Sequence, residues 1–133
     1  MYSDDDPHLD GVRRVCLALP EAVEVEAWGW PSFRTGAKGK MFAIYDHHSD
    51  AAYALTFKAD PADRLALLED KRFFEPWYWG ARGWLALDLV ATEPDWVEVT
   101  ELVETSYRQV ALKRQLKALE AAVRIYRELG GTA

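Results

Sequence analysis

The sequence predicts an α+β fold: a single antiparallel β-sheet flanked by helices, with an extra C-terminal helix. Three observations lead there. Apolar residues at helical spacing mark both ends of the chain. Between them lie runs that alternate with a period of two, parted by short turn-forming clusters. Strands and helices therefore come in blocks, the pattern of an antiparallel sheet covered by helices on one face. A length of 133 residues and a hydrophobic share of 50% suffice for one domain, residues 1–133, with a real core.

Residues 1–8 read as a polar, frayed terminus. Leu9, Val12, Val15, Cys16 and Leu19 share a helical face, and Pro20 ends that helix. Val23, Val25 and Ala27 alternate with Glu24 and Glu26 as a strand does. Adjacent strand residues face opposite ways, so Trp28 and Trp30 share one face. Pro31 interrupts, and Phe33, Arg34 and Thr35 form the next strand. Gly36-Ala37-Lys38-Gly39 is a turn, Met41 to Tyr45 a strand, and Asp46-His47-His48-Ser49-Asp50 a second turn before the strand Tyr53 to Phe57. Asp60-Pro61-Ala62-Asp63 opens a helix that Leu65, Leu67 and Leu68 carry to about Asp70. The aromatic run Phe73 to Trp79 contains Pro76 and reads as a loop leading into an edge strand. Gly80-Ala81-Arg82-Gly83 is a third turn, and Trp84, Leu85, Leu87 and Leu89 the last strand. Pro94 and Asp95 open a long helix whose core face carries Trp96, Val99, Leu102, Val103, Ser106, Tyr107 and Val110. Leu112, Leu116, Leu119, Val123 and Tyr126 extend a helical stripe through residues 113–133, closed by Gly130-Gly131.

The formal net charge of −6 disfavours nonspecific attraction to nucleic acid or anionic membrane. The charge is uneven. Residues 1–104 hold 10 Lys and Arg against 20 Asp and Glu, whereas residues 105–133 hold 6 against 2. A last helix gathers cations to suit its dipole, or to form a binding face. The single cysteine excludes an internal disulfide framework and fits a reducing, cytoplasmic setting. No apolar run reaches the roughly 20 residues that span a bilayer, and the acidic N-terminus lacks the character of a secretory signal.

Several motifs then occur in a telling order. Leu19-Pro20 closes the first helix, followed by Trp28-Gly29, Pro31-Ser32-Phe33-Arg34 and Gly39-Lys40-Met41-Phe42-Ala43. Pro76 and Tyr78, Gly83-Trp84 and Ser106-Tyr107 come later. With these residues the chain resembles the MmcQ/YjbR family over roughly residues 9–112. The resemblance implies a frataxin-like sandwich, as in CyaY, with helices flanking one antiparallel sheet. It also implies a non-catalytic protein whose two hairpins form a double wing offered to DNA. The tail from Lys113 onward is longer than the usual family ending, hence the extra helix.

Two sets of candidate contacts follow. Arg34, Lys38 and Lys40, with the glycine amides of their turn, suit phosphates. Arg82 supplies the second wing, and Arg108, Lys113, Arg114 and Lys117 a basic annexe. The plainer reading is that such cations keep hairpin edges from pairing with other chains. Trp28, Trp30, Trp77, Tyr78, Trp79 and Trp84 suit either a base-stacking platform or a core. The alternative to DNA is a groove for a protein or small ligand, lined by Trp28, Phe33, Trp77, Tyr78 and Trp84. His47-His48 reads as a solvated hairpin, because adjacent histidines splay apart in a strand and rarely share an ion. No metal or other cofactor is therefore expected. Cys16 falls on an apolar face, Ser32 and Ser106 lack a nucleophile elbow, and no phosphate loop or dinucleotide fingerprint occurs, so an enzyme is not expected. Ser106 and Tyr107 read as packing and hydrogen-bonding residues under the sheet. The C-terminal stripe either docks on the domain or pairs with its copy in a homodimer.

Overall fold

The computed structural model describes residues 2–130. Its elements run α1 (Leu9–Leu17), β1 (Val23–Ala27), β2 (Trp30–Arg34), β3 (Met41–His48), β4 (Ala51–Lys58), α2 (Arg64–Leu68), β5 (Phe73–Phe74), β6 (Trp84–Asp88), α3 (Trp96–Val110) and α4 (Lys113–Glu128). The six strands form one sheet in the order β1-β2-β3-β4-β6-β5, antiparallel throughout. This is the expected α+β architecture. Among the described residues no helix is long and apolar enough to cross a membrane.

Alternation sorts each strand into two faces. Phe33, Ala43, Phe57 and Leu85 form one row across four strands, all fully buried. They meet Leu9, Val12 and Cys16 of α1 and Val99, Val103 and Tyr107 of α3. Asp95 caps α3 by accepting from the amides of Val97 and Glu98. Gly11 lets the two helices close: a Cβ there would come within 2.3 Å of the Trp96 ring. Ser106 ties α3 to the sheet, donating to the Phe42 carbonyl at 2.6 Å and accepting from the Lys58 amide at 3.0 Å. Tyr107 lays its ring edge-on to Phe42 and donates from its hydroxyl to the Pro20 carbonyl at 2.7 Å. Both residues thus take the packing and bonding roles expected of them.

The opposite face carries the row Val25, Ser32, Ile44, Thr56, Ala86, Phe74, one residue from each strand. Ser32, Thr56 and Ala86 are fully buried there, yet the small cluster of Ala51, Ala54, Ala86 and Phe74 contains no helical residue. Trp79 of the β5–β6 connection lies over this face instead, its ring 5.3 Å from that of Trp84. The connection bonds to itself, with Gly80 N to Pro76 O at 2.8 Å and Trp84 N to Trp79 O at 3.2 Å. Arg64 of α2 holds it from outside through Glu75 and the Gly80 carbonyl.

Several local expectations need correction. The strand β3 runs through His48, so the second turn shrinks to Ser49-Asp50, with an irregularity between Asp46 and His48. The edge strand Phe73–Phe74 precedes the aromatic loop rather than following it. The helix expected from Asp60 starts only at Arg64, because Asp60 accepts from Ala62 N and spends residues 61–63 on turns. Trp28 and Trp30 do not share a face. Trp28 and Gly29 both have positive φ, 52° and 82°, and form the tight turn between β1 and β2. Trp30 packs on Tyr2 and Tyr45.

Residues 2–8, read as a frayed end, are held at three points. Tyr2 stacks on Trp30, Asp4 pairs with Arg13 at 3.0 Å, and the Pro7 carbonyl accepts from Tyr45 at 2.7 Å. Arg13 also grips Glu24 with two nitrogens, joining α1 to β1. At the other end, Ala111 and Leu112 are extended and break α3 from α4. The Gln115 side chain accepts from Leu112 N and donates to the Thr35 carbonyl at 2.7 Å, which docks the start of α4. Leu119 is buried and Val123 packs on the core, but Ile125, Tyr126 and Leu129 are exposed, so the end of α4 stands off the domain. The closing Gly131 lies outside the described residues.

Candidate functional site

The expected cations separate into committed and free. Arg108 is paired to Glu104 and Glu120, and Arg114 to Glu21 at 2.7 Å. Hydrogen bonding from Arg108 and Arg114 holds the Glu120 and Glu21 carboxyls below the usual range. Arg34 is half-buried, and its Nε is closed off without a partner. Lys38, Lys40, Lys113 and Lys117 are exposed and form no ion pair among the described residues. Lys38 and Lys40 sit on the Gly36–Gly39 turn, beside a hollow of about 750 Å³ shared with Gln109, Leu112 and Arg114. The pairing register puts Arg34, Met41, Lys58 and Trp84 at one end of the sheet. The two expected wings, residues 36–39 and 80–83, therefore leave the sheet at the same end. Arg82 lies 4.8 Å from the Tyr78 ring centroid, a cation over an aromatic face.

The aromatic residues converge more tightly. Trp79 bridges the sheet, its ring 5.3 Å from Trp84 on β6 and 5.8 Å from Trp28 on the β1–β2 turn. Tyr78 meets Trp79 edge-on at 5.2 Å and Trp77 at 6.2 Å. Together with His47, His48 and Ser49 these side chains bound a cleft of about 630 Å³. Trp28 is 72% exposed, Trp77 89% and Tyr78 52%. Trp84 is buried beneath Trp79 and supports the cleft instead of lining it. Phe33, expected in such a groove, is fully buried on the helix side. The backbone at the rim is strained. Trp28 and Tyr78 have φ of 52° and 71°, a region that costs a bulky side chain about 1 kcal/mol or more.

One feature of the cleft escaped the sequence reading. His48 is not a solvated hairpin residue. Its Nε2 lies 3.0 Å from both Asp46 Oδ1 and Thr56 Oγ1, and Thr56 donates to the same Asp46 oxygen at 2.9 Å. Asp46 and Thr56 are buried, and the His48 ring packs edge-on to Phe74 at 5.5 Å. The signal was present: Asp46 and His48 are two apart and share a face once the strand is carried through them. Among the described residues no group of three His, Cys, Asp or Glu is placed to hold a metal ion.

Residues 17–109 match the YjbR family model. The chain belongs to the YjbR family. The fold is also similar to the crystal structure of a Deinococcus radiodurans protein with a DUF419 domain. That match has a TM-score of 0.65 and 24% identity, covering 95% of this chain and 90% of the other. No curated protein gives a match. The family match ends just short of the α3–α4 break, while the structural likeness extends over nearly the whole YjbR-family chain.

Proposed function

We propose that this YjbR-family protein is a non-catalytic binding module that holds a planar, apolar group in the cleft between Trp28, Trp77 and Trp79. The observation that carries the reading is three large aromatics left more than half exposed around one hollow, two of them on strained backbone. Exposed aromatic surface and strained φ both work against stability, and both gather where ligands bind. The hollow's size falls within the range for small-molecule sites. The lone buried thiol of Cys16 supports a reducing, cytoplasmic setting. The test is NMR titration with 1-methylindole, a flat apolar probe. The Nε1–H signals of Trp28, Trp77 and Trp79 should shift saturably, and Trp77→Ala should abolish the effect. No saturable shift up to the solubility limit overturns the reading.

A second reading, DNA binding through the two turns, is supported by their emergence at one end of the sheet with Lys38, Lys40 and Arg82 unpaired by carboxylates among the described residues. With about three phosphates neutralised, log K should fall with log salt at a slope of about −2.7. A flat salt response, or no binding to duplex at low salt, removes it. The exposed Ile125 and Tyr126 on α4, with Leu129 at its end, support a homodimer through that helix. Light scattering reporting a monomer at high concentration would count against it.

A further inference from the structure

We propose that His48 Nδ1 is the polar anchor of the cleft, so that the preferred ligand is a planar nitrogen heteroaromatic carrying an N–H donor. The proposal rests on the cleft reading above and adds a direction to it.

The hydrogen-bond network fixes the histidine tautomer. The single Thr56 hydroxyl hydrogen is spent on Asp46 Oδ1. Toward His48, both Thr56 Oγ1 and Asp46 Oδ1 can then only accept. A bare Nε2 at 3.0 Å from each would set lone pair against lone pair. Nε2 must therefore carry the hydrogen and share it between the two oxygens. In the neutral ring that leaves Nδ1 as the bare nitrogen.

Nδ1 has no partner among the described residues, yet it is not among their buried unpaired atoms. It belongs to a side chain that is 12% exposed and lines the cleft. The neighbouring His47 is set the other way. Its Nδ1 lies 3.0 Å from the Ala52 carbonyl, so the neutral ring donates there. The cleft thus combines flat indole walls with an acceptor, held in orientation by buried Asp46 and Thr56. A ring that stacks on tryptophan and presents an N–H satisfies both features; a bare hydrocarbon leaves Nδ1 unpaired on binding. Indoles and nucleobases share this chemistry.

The experiment compares matched probes on the intact chain at pH 8.5. Indole is set against 1-methylindole, and uracil against 1,3-dimethyluracil. The methylated partner of each pair keeps the flat ring and loses the N–H. We expect the N–H form of at least one pair to bind about fivefold or more tighter, the usual worth of one hydrogen bond. The pair showing the preference identifies the source. His48→Phe should erase that preference. Should His48→Phe misfold, the ¹⁵N shifts of wild-type His48 serve instead: Nδ1 should move on adding the N–H probe and stay on adding the methylated one. Equal binding within both pairs overturns the anchor while leaving the cleft reading intact. Absence of binding by all four probes overturns both.

Discussion

The two faces of the sheet are closed by different means. One lies under α1 and α3, and its row Phe33, Ala43, Phe57, Leu85 is wholly withdrawn from water. Polar groups at that contact are satisfied in pairs, as Ser106 is between Phe42 and Lys58. The other lies under a loop whose Trp79 rests on Trp84, while Trp77 and the facing Trp28 remain largely in water. Removing Phe57 from the first face leaves a cavity; removing Trp28 or Trp77 from the rim of the second mostly trims surface. The first face therefore carries more of the stability of the domain, and the rim of the second carries the exposed aromatics.

The sharpest way to break this contrast is Phe57→Ala. The residue is fully buried and packs edge-on to Phe73 at 6.2 Å. A loss of about 3–5 kcal/mol is expected in urea unfolding. A loss below 1 kcal/mol would mean that the helix-covered face is not the stabilising one. Ser106→Ala comes next. It strands the Phe42 carbonyl and the Lys58 amide, and should cost about 1–3 kcal/mol. Because Ser106 lies far from the aromatic cleft in the fold, binding of 1-methylindole should stay within twofold of wild type.

Cys16 probes the same face through pH. Burial pushes its thiol pKa up. The native state thus holds the proton more tightly than the unfolded chain. Stability from this group is complete below the unfolded value of about 8.5, and is lost progressively as pH rises beyond it. Urea midpoints should fall above that pH, and fall less in Cys16→Ala measured against its own neutral-pH value. A thiol reagent should label the native protein only as fast as it unfolds. Rapid labelling of folded protein would place the thiol at the surface.

The helix-covered face was the legible one. Leu9, Val12 and Cys16 announced α1 by spacing alone, and Asp95 announced the start of α3 by its capping chemistry. The loop-covered face was not, for physical reasons. Period two carries no information at Trp28, where a tight turn puts a bulky residue into a conformation normally left to glycine or asparagine. Polar Asp46, His47 and His48 have turn composition, so the strand running through them was hidden by its own residues. Nor can spacing reveal that residues 75–83 fold back until Trp79 touches Trp28, a contact set by the loop's internal hydrogen bonds. The basic residues were found correctly as types, but not as free charges. Whether Arg108 or Arg114 is neutralised depends on Glu120 and Glu21, which lie 12 and 93 residues away.

The smallest expected effect on stability is the most telling for function. Trp28→Asn restores to the β1–β2 turn the residue type that positive φ favours before glycine. Relief of that strain is worth about 1 kcal/mol. The lost edge contact with Trp79 is worth about 0.5–1.5 kcal/mol. The two nearly cancel, so the unfolding midpoint should stay within about 1 kcal/mol of wild type. Binding of 1-methylindole should fall at least tenfold, because one wall of the cleft is gone. A Trp28 kept for packing would give the reverse: a clear loss of stability with binding unchanged. The Trp28→Asn result therefore decides whether this strained tryptophan belongs to the fold or to the ligand.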